Sequence, residues 1–117
     1  MIERLTMQNI EQIELNLKQA KAMVDMGRSL ERLRSNRDFK AVIMEGYFKE
    51  EAIRLVHLKS SASMQDADSQ ASIIRDMDAI GALNQYFNTL NHRAMLSEKA
   101  IEDDSATREE MLSEEIE

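Results

Sequence analysis

The sequence predicts an all-α protein, either a three-helix bundle or a long helical hairpin with coiled-coil character, followed by an acidic C-terminal extension. The 117 residues include only three valines and three threonines, so residues that favour strands are scarce. Proline is absent and only three glycines occur, so few turns are expected. Apolar residues recur at heptad spacing in two long segments, which is typical of packed helices.

The first predicted helix covers residues 2–34. Its apolar side chains alternate in steps of three and four, which is the pattern of a coiled-coil seam. The residues at these positions are Ile10, Ile13, Leu17, Ala20, Val24 and Gly27. After Gly27 the apolar stripe shifts, so we expect the seam to rotate or to change partner.

The second predicted helix covers residues 37–59, and Ser35 or Asn36 is suited to cap its N-terminus. Its apolar residues spread over more than one face, which indicates a helix contacted from two sides. Gly46 lies in the middle and is followed by Tyr47 and Phe48. A glycine inside a helix lowers stability by about 1 kcal/mol relative to alanine, so close packing against another helix is expected there. The alternative is a hinge or a tolerated defect of the helix.

The third predicted helix covers residues 67–98 and follows the polar loop "SSASMQDADSQ". It begins near Asp66 or Asp68, whose carboxylates suit the N-terminal end of a helix. Heptad spacing continues through Ile80, Leu83, Phe87, Leu90 and Ala94. Ala79, Gly81 and Ala82 form a patch of small residues that could pack closely against Gly46.

Helix packing or self-association is therefore predicted for one set of residues. This set is Ile10, Ile13, Leu17, Val24, Gly46, Tyr47, Phe48, Gly81, Leu83, Phe87 and Leu90.

Charge divides the chain into a helical domain, residues 1–97, and an acidic tail, residues 98–117. The tail holds nine acidic and two basic residues, which equals the net charge of −7 of the whole chain. Because its apolar residues are few, we expect the tail to be partly helical or disordered.

No catalytic constellation, cofactor motif or metal-ligand spacing is recognisable, so an enzyme is not expected. Of the two histidines, His57 lies on a helical face with Glu50 and Arg54, which favours a row of ion pairs over a metal site. His92 has no neighbour that would make it a base. The segment beginning at Asp66 has alanine and methionine where a calcium loop needs glycine and glutamate.

Basic residues cluster between residues 28 and 40. They are Arg28, Arg32, Arg34, Arg37 and Lys40. This patch could contact phosphates, but no aromatic platform accompanies it, and a solvated junction or a dock for the acidic tail is the favoured interpretation. No apolar run is long enough to suggest a signal peptide or membrane span, and the lack of cysteine fits the cytoplasm.

The stretches "LERLRSNRDFKAVIMEGYFKEEAIRLVHLK" and "IIRDMDAIGALNQYFNTL", with "MQ" at Met64–Gln65 between them, resemble small acidic helical proteins encoded by tailed bacteriophages. The resemblance covers about residues 28–102. It implies a phage origin and an accessory role, and it transfers no catalytic or binding residue.

The expected function is a non-enzymatic helical protein–protein interaction module, a bacteriophage accessory or virion-assembly protein that acts as a homo-oligomer. Its expected partners are itself and another phage or host protein, without a membrane or nucleic acid. The expected location is the host cytoplasm, with incorporation in the virion as an option. The alternatives are a soluble phage inhibitor that acts through its acidic surface and a nucleic-acid-binding regulator that uses residues 28–40.

Overall fold

The structure is a computed structural model that describes residues 2–116, with side chains for residues 6–114. All described secondary structure is helical, so the predicted all-α class is confirmed. The elements are α1 (Ile2–Ser35), α2 (Arg37–Phe39), a π-helical segment (Lys40–Glu51), α3 (Ala52–Ser60), a 3₁₀ turn (Ala62–Met64) and α4 (Ala67–Ile116). The chain divides into two compact units. The central unit is Leu30–Thr89, and the terminal unit combines the residues up to Ser29 with those from Leu90 onward.

Polar side chains mark where the helices begin, as the sequence predicts. Asn36 has an extended backbone, and its side-chain oxygen accepts a hydrogen bond from the backbone N–H of Phe39 at 2.9 Å. Asp66 accepts one from the backbone N–H of Ser69 at 3.0 Å, just before α4. Both bonds satisfy donors that the first helical turn leaves free. Of the alternatives predicted from the sequence, Asn36 and not Ser35 is the cap of the first of these helices, and Asp66 and not Asp68 is the cap of α4.

The second predicted helix is not a regular α-helix, because residues 40–51 form a π-helix. The half-buried side chains of this part include Phe39, Ile43, Phe48 and Ala52, which follow one another at intervals of four or five residues. In an α-helix, side chains at these intervals would lie on different faces. In a π-helix, whose hydrogen bonds join residues five apart, the wider turns place them on the same side. Phe39, Ile43, Phe48 and Ala52 therefore lie on one side of this segment, whereas Val42, another apolar residue of the predicted helix, is exposed.

Two glutamines close the end of α3. Gln65 donates from its amide nitrogen to the backbone oxygens of Lys59 and Ser61, at 2.9 and 2.7 Å. Gln70 donates to the oxygens of Lys59 and Met64, at 2.9 and 2.8 Å. These bonds satisfy carbonyl groups that have no partner within the helix and hold the loop against the start of α4.

The core of the central unit forms around Leu55, which is 1% exposed, with Ile73 and Ile80 of α4 buried beside it. Tyr47 and Phe48 of the π-helical segment pack against this cluster. The π-helical segment is therefore held in place by large side chains.

The terminal unit is an antiparallel pair made by the first part of α1 and the last part of α4. Two contacts define its register: Gly27 lies against Ala94, and Glu14 accepts a hydrogen bond from Arg108 at 3.1 Å. The two contacts are 13 residues apart on α1 and 14 residues apart on α4. Both contacts therefore indicate the same antiparallel register to within one residue. The buried seam of this pair consists of Leu17, Ala20, Val24, Leu90 and Ala94.

The third predicted helix does not end near Glu98, because α4 continues to Ile116. Ile101, Met111 and Leu112 are half-buried and extend the apolar seam of α4 into the acidic segment. This partial burial and the contact of Arg108 with Glu14 of α1 explain why a segment with few apolar residues is helical throughout its described length.

Candidate interaction surface

The predicted seam of α1 packs within the chain. Leu17 and Val24 are buried, while Ile10 and Ile13 are half-buried towards the start of the helix. Among the predicted residues of α4, Phe87 and Leu90 are buried and Leu83 is half-buried. These residues therefore form the interior of each unit, and a surface for another molecule has to be sought elsewhere.

The predicted close packing between Gly46 and Gly81 is wrong within this chain. A Cβ atom built on Gly81 meets nothing within 4 Å, and on Gly46 it meets only the backbone oxygen of Ala41 in the same helix, at 3.1 Å. The close approach lies at Gly27, where a Cβ would overlap the Cβ of Ala94. The sequence holds a signal for this contact, because Gly27 and Ala94 are the smallest residues of the two heptad seams.

Phe87 is the centre of an aromatic cluster in the central unit. Its ring lies 5.9 Å from that of Phe39 and 5.9 Å from that of Phe48, both in edge-to-face geometry. The guanidinium of Arg34 lies 5.8 Å from the centre of the Phe87 ring, a favourable cation–π distance. The Nε atom of Arg34 is buried and has no hydrogen-bond partner among the described residues.

The predicted basic patch is not a uniform set of solvent-facing cations. Arg34 lies half-buried on Phe87, whereas Arg37 and Lys40 are exposed. Arg28 belongs to the terminal unit and lies 3.8 Å from Asp25. The side chain that would be central in a phosphate-binding patch is therefore used for packing.

The predicted row of ion pairs named Glu50 as the acidic partner of Arg54, beside His57, and this assignment of the acid is wrong. Arg54 forms its ion pair with Glu51, the last residue of the π-helical segment. Hydrogen bonding from Arg54 lowers the pKa of Glu51, and the same bond raises the pKa of Arg54. His57 and His92 are exposed, and no three acidic or histidine side chains among the described residues are grouped to hold a metal ion.

Each of the two units has an open cleft among its described residues. The cleft of the central unit has a volume of about 290 Å³, an apolar floor that includes Leu55 and Ile73, and a rim that includes Arg54 and Asp76. The cleft of the terminal unit has a volume of about 350 Å³ and is bordered by Glu14, Leu17, Lys18, Lys21 and Arg108. Both linings combine apolar surface with charged side chains, a composition that suits contact with the side chains of another protein.

Apolar side chains are abundant on the surface. Among the residues whose side chains are described, eleven large apolar side chains are exposed and ten apolar side chains are buried. The exposed ones are Met7, Leu15, Met26, Leu33, Val42, Ile53, Val56, Ile74, Tyr86, Met95 and Leu96. Ile53 and Val56 are three residues apart in α3 and lie on one face of that helix.

Comparisons of the chain with protein-family models, with curated proteins and with solved structures each find no match. Within the described part of the chain, no helix combines the length and apolar character needed to cross a bilayer.

Proposed function

We propose that this protein is a non-enzymatic helical interaction module that works as an oligomer. The observation that supports this proposal is the large uncovered surface of the single chain. Its accessible surface is 8963 Å², whereas a folded monomer of 13.5 kDa typically exposes about 6500 Å². A standard protein–protein interface covers about 800 Å² on each partner, so the excess is large enough for more than one contact.

The pair Ile53 and Val56 is one contact surface in this proposal. Both side chains are more than half exposed, on the helix whose Leu55 is fully buried. Isolated apolar side chains on a surface are ordinary, but adjacent ones on a helical face favour a partner. A partner that covered these two side chains would gain about 25 cal/mol of binding free energy for each Å² of apolar surface removed from water.

Light scattering at micromolar concentrations tests the oligomer. We expect a mass of at least twice 13.5 kDa for the full chain. The double variant Ile53→Ser/Val56→Ser should weaken association at least tenfold, and Ile74→Ser, which removes an exposed apolar side chain elsewhere, should leave it within threefold. A monomer at every concentration contradicts the oligomer, and an oligomer that ignores the double variant contradicts the role of Ile53 and Val56.

The biological setting in this proposal is a tailed bacteriophage, on the basis of the resemblance over residues 28–102. The protein then acts in the host cytoplasm as an accessory or assembly component and is incorporated in the virion. Mass spectrometry of purified virions from the encoding phage is the test. Peptides from this chain at a constant ratio to the capsid protein support the assembly role, and their absence contradicts it.

A second candidate is a soluble inhibitor that binds a basic site through its acidic surface. The supporting observation is that α4 presents Glu102, Asp103, Glu109, Glu110 and Glu114 exposed on an ordered helix. Held in this way, the carboxylates lose little conformational freedom on binding. Binding of this kind should weaken strongly between 50 and 300 mM salt, because exposed charges are screened over roughly 8–10 Å at physiological ionic strength.

A further inference from the structure

The charges of α1 are confined to one side of the helix in the terminal unit. Between residues 8 and 27 the helix carries five charged side chains, all exposed: Glu11, Glu14, Lys18, Lys21 and Asp25. At 3.6 residues per turn they fall within a sector of about 80°. The buried seam of Leu17, Ala20 and Val24 occupies the neighbouring sector.

The remaining side of α1 is solvent-exposed and carries no charge. Its exposed side chains between residues 8 and 27 are Gln8, Asn9, Gln12, Leu15, Asn16, Gln19, Ala22 and Met26. We call this set the neutral face. In a chain with 32% charged residues, an exposed helical face without charge is unusual for a surface that stays in water.

The middle of the neutral face has the spacing of a second seam. Leu15, Gln19, Ala22 and Met26 follow one another in steps of four, three and four residues. Leu15 is 48% exposed and Met26 is 49% exposed. This spacing lets a second helix pack along α1, on the side opposite the seam that α4 already covers.

We propose that the neutral face binds the neutral face of a second copy of this chain, with the two α1 helices antiparallel. In this register Leu15 packs against the partner's Met26, and Gln19 lies beside the partner's Ala22. The two-fold axis repeats both contacts, as in an isologous dimer. The inference deepens the proposed function, on which it rests, by naming a second self-association surface, separate from Ile53 and Val56 of α3.

Charge complementarity identifies a second copy as the occupant. Lys18 and Asp25 border the neutral face on the same side. In the antiparallel register Lys18 lies beside the partner's Asp25, and Asp25 beside the partner's Lys18, so two ion pairs flank the apolar contacts. A parallel pair would not bring these opposite charges together. Among the residues whose side chains are described, Lys18 has no ion-pair or hydrogen-bond partner, and the one ion pair of Asp25 is its 3.8 Å contact with Arg28.

Charge reversal with rescue is the first test, by sedimentation velocity of the full chain at low salt. Lys18→Glu alone and Asp25→Lys alone should each weaken dimerisation at least tenfold, because two attractive pairs become repulsive. The double variant Lys18→Glu/Asp25→Lys should return to within threefold of the unmodified protein. Lys99→Glu, the same charge change at an exposed position of α4, is the matched control and should have no effect. Failure of the double variant to recover would overturn the register.

Disulfide trapping is the second test and uses the absence of cysteine from the chain. Leu15→Cys/Met26→Cys should form a covalent dimer on mild oxidation. Each single-cysteine variant should not, because positions 15 and 15 of an antiparallel pair lie about 16 Å apart along the helix axis. Efficient trapping of either single variant would show parallel pairing and overturn the proposal.

The tests separate this inference from the proposed function. Association that is unchanged by the charge variants, without trapping of the double-cysteine variant, overturns the neutral-face dimer and leaves the oligomeric module standing. A chain that is monomeric at every concentration overturns both.

Discussion

At the scale of single residues, the three glycines of this chain have different surroundings. Gly27 is needed for a close helix contact, because any side chain would enter the space of Ala94. Gly81 has open space around its Cα, and Gly46 is near only the carbonyl group of Ala41. A glycine in a helix is therefore no sign of close packing by itself.

Gly27→Ala should lower the free energy of unfolding, although alanine has the higher helix propensity. The added Cβ overlaps Ala94, and overpacking typically costs about 1–3 kcal/mol. Urea denaturation followed by circular dichroism measures the change.

Gly81→Ala is the control for helix propensity and should raise the free energy of unfolding by about 0.5–1 kcal/mol. Gly46→Ala should raise the free energy of unfolding by less than Gly81→Ala does. Its added Cβ would lie 3.1 Å from the backbone oxygen of Ala41, which the helix holds in place. A Gly27→Ala variant as stable as the original protein would contradict the close approach.

At the scale of elements, short polar segments set the helix boundaries. Asp66 shows the electrostatic side of this role. Hydrogen bonds from the side chain and the backbone N–H of Ser69 lower the pKa of Asp66. A carboxylate with a lowered pKa in the folded state stabilises the fold at neutral pH and loses that effect as the pH falls through its folded-state pKa.

Asp66→Ala should therefore lower the melting temperature at pH 7, because the first turn of α4 loses its cap. The difference from the unmodified protein should shrink below pH about 3.9, the pKa of an aspartate in an unfolded chain. Thermal melts at pH 7, 4 and 2.5 measure it. Asn36→Ala removes an uncharged cap of the same kind and is the control, because an amide does not titrate over this range. An effect of Asp66→Ala that is equal at all three values would mean that the charge has no role.

At the scale of the whole molecule, the acidic segment belongs to a helix and is packed. Residues 98–116 continue α4, and Arg108 reaches Glu14 of α1. The same segment provides half-buried Ile101, Met111 and Leu112. It is therefore part of the terminal unit and helical through its described length, whereas its composition predicted a tail that is partly helical or disordered.

Deleting residues 103–117 should destabilise the terminal unit by about 2 kcal/mol or more, since it removes the partial burial of Met111 and Leu112. Hydrogen exchange should become faster in residues 6–17 of α1, which lose their partner. Residues 70–80, in the core of the central unit, serve as the internal control and should keep their protection. An unchanged rate of amide hydrogen exchange in residues 6–17 would show that the acidic segment does not stabilise the first part of α1.

Local sequence determined the all-α class, the helix starts at Asn36 and Asp66, and the two heptad seams. These features depend on residues within one or two turns of each other, so caps and periodicity report them directly. The close approach of Gly27 and Ala94, the pair of Glu14 and Arg108, and the π-helical segment were decided by tertiary packing. The contacts Gly27–Ala94 and Glu14–Arg108 join residues far apart in the chain. Their register depends on how the side chains along the whole length of α1 and α4 pack together. The wider turns of residues 40–51 persist because Tyr47 and Phe48 reach the core around Leu55 from them, a contact between elements that no local pattern contains.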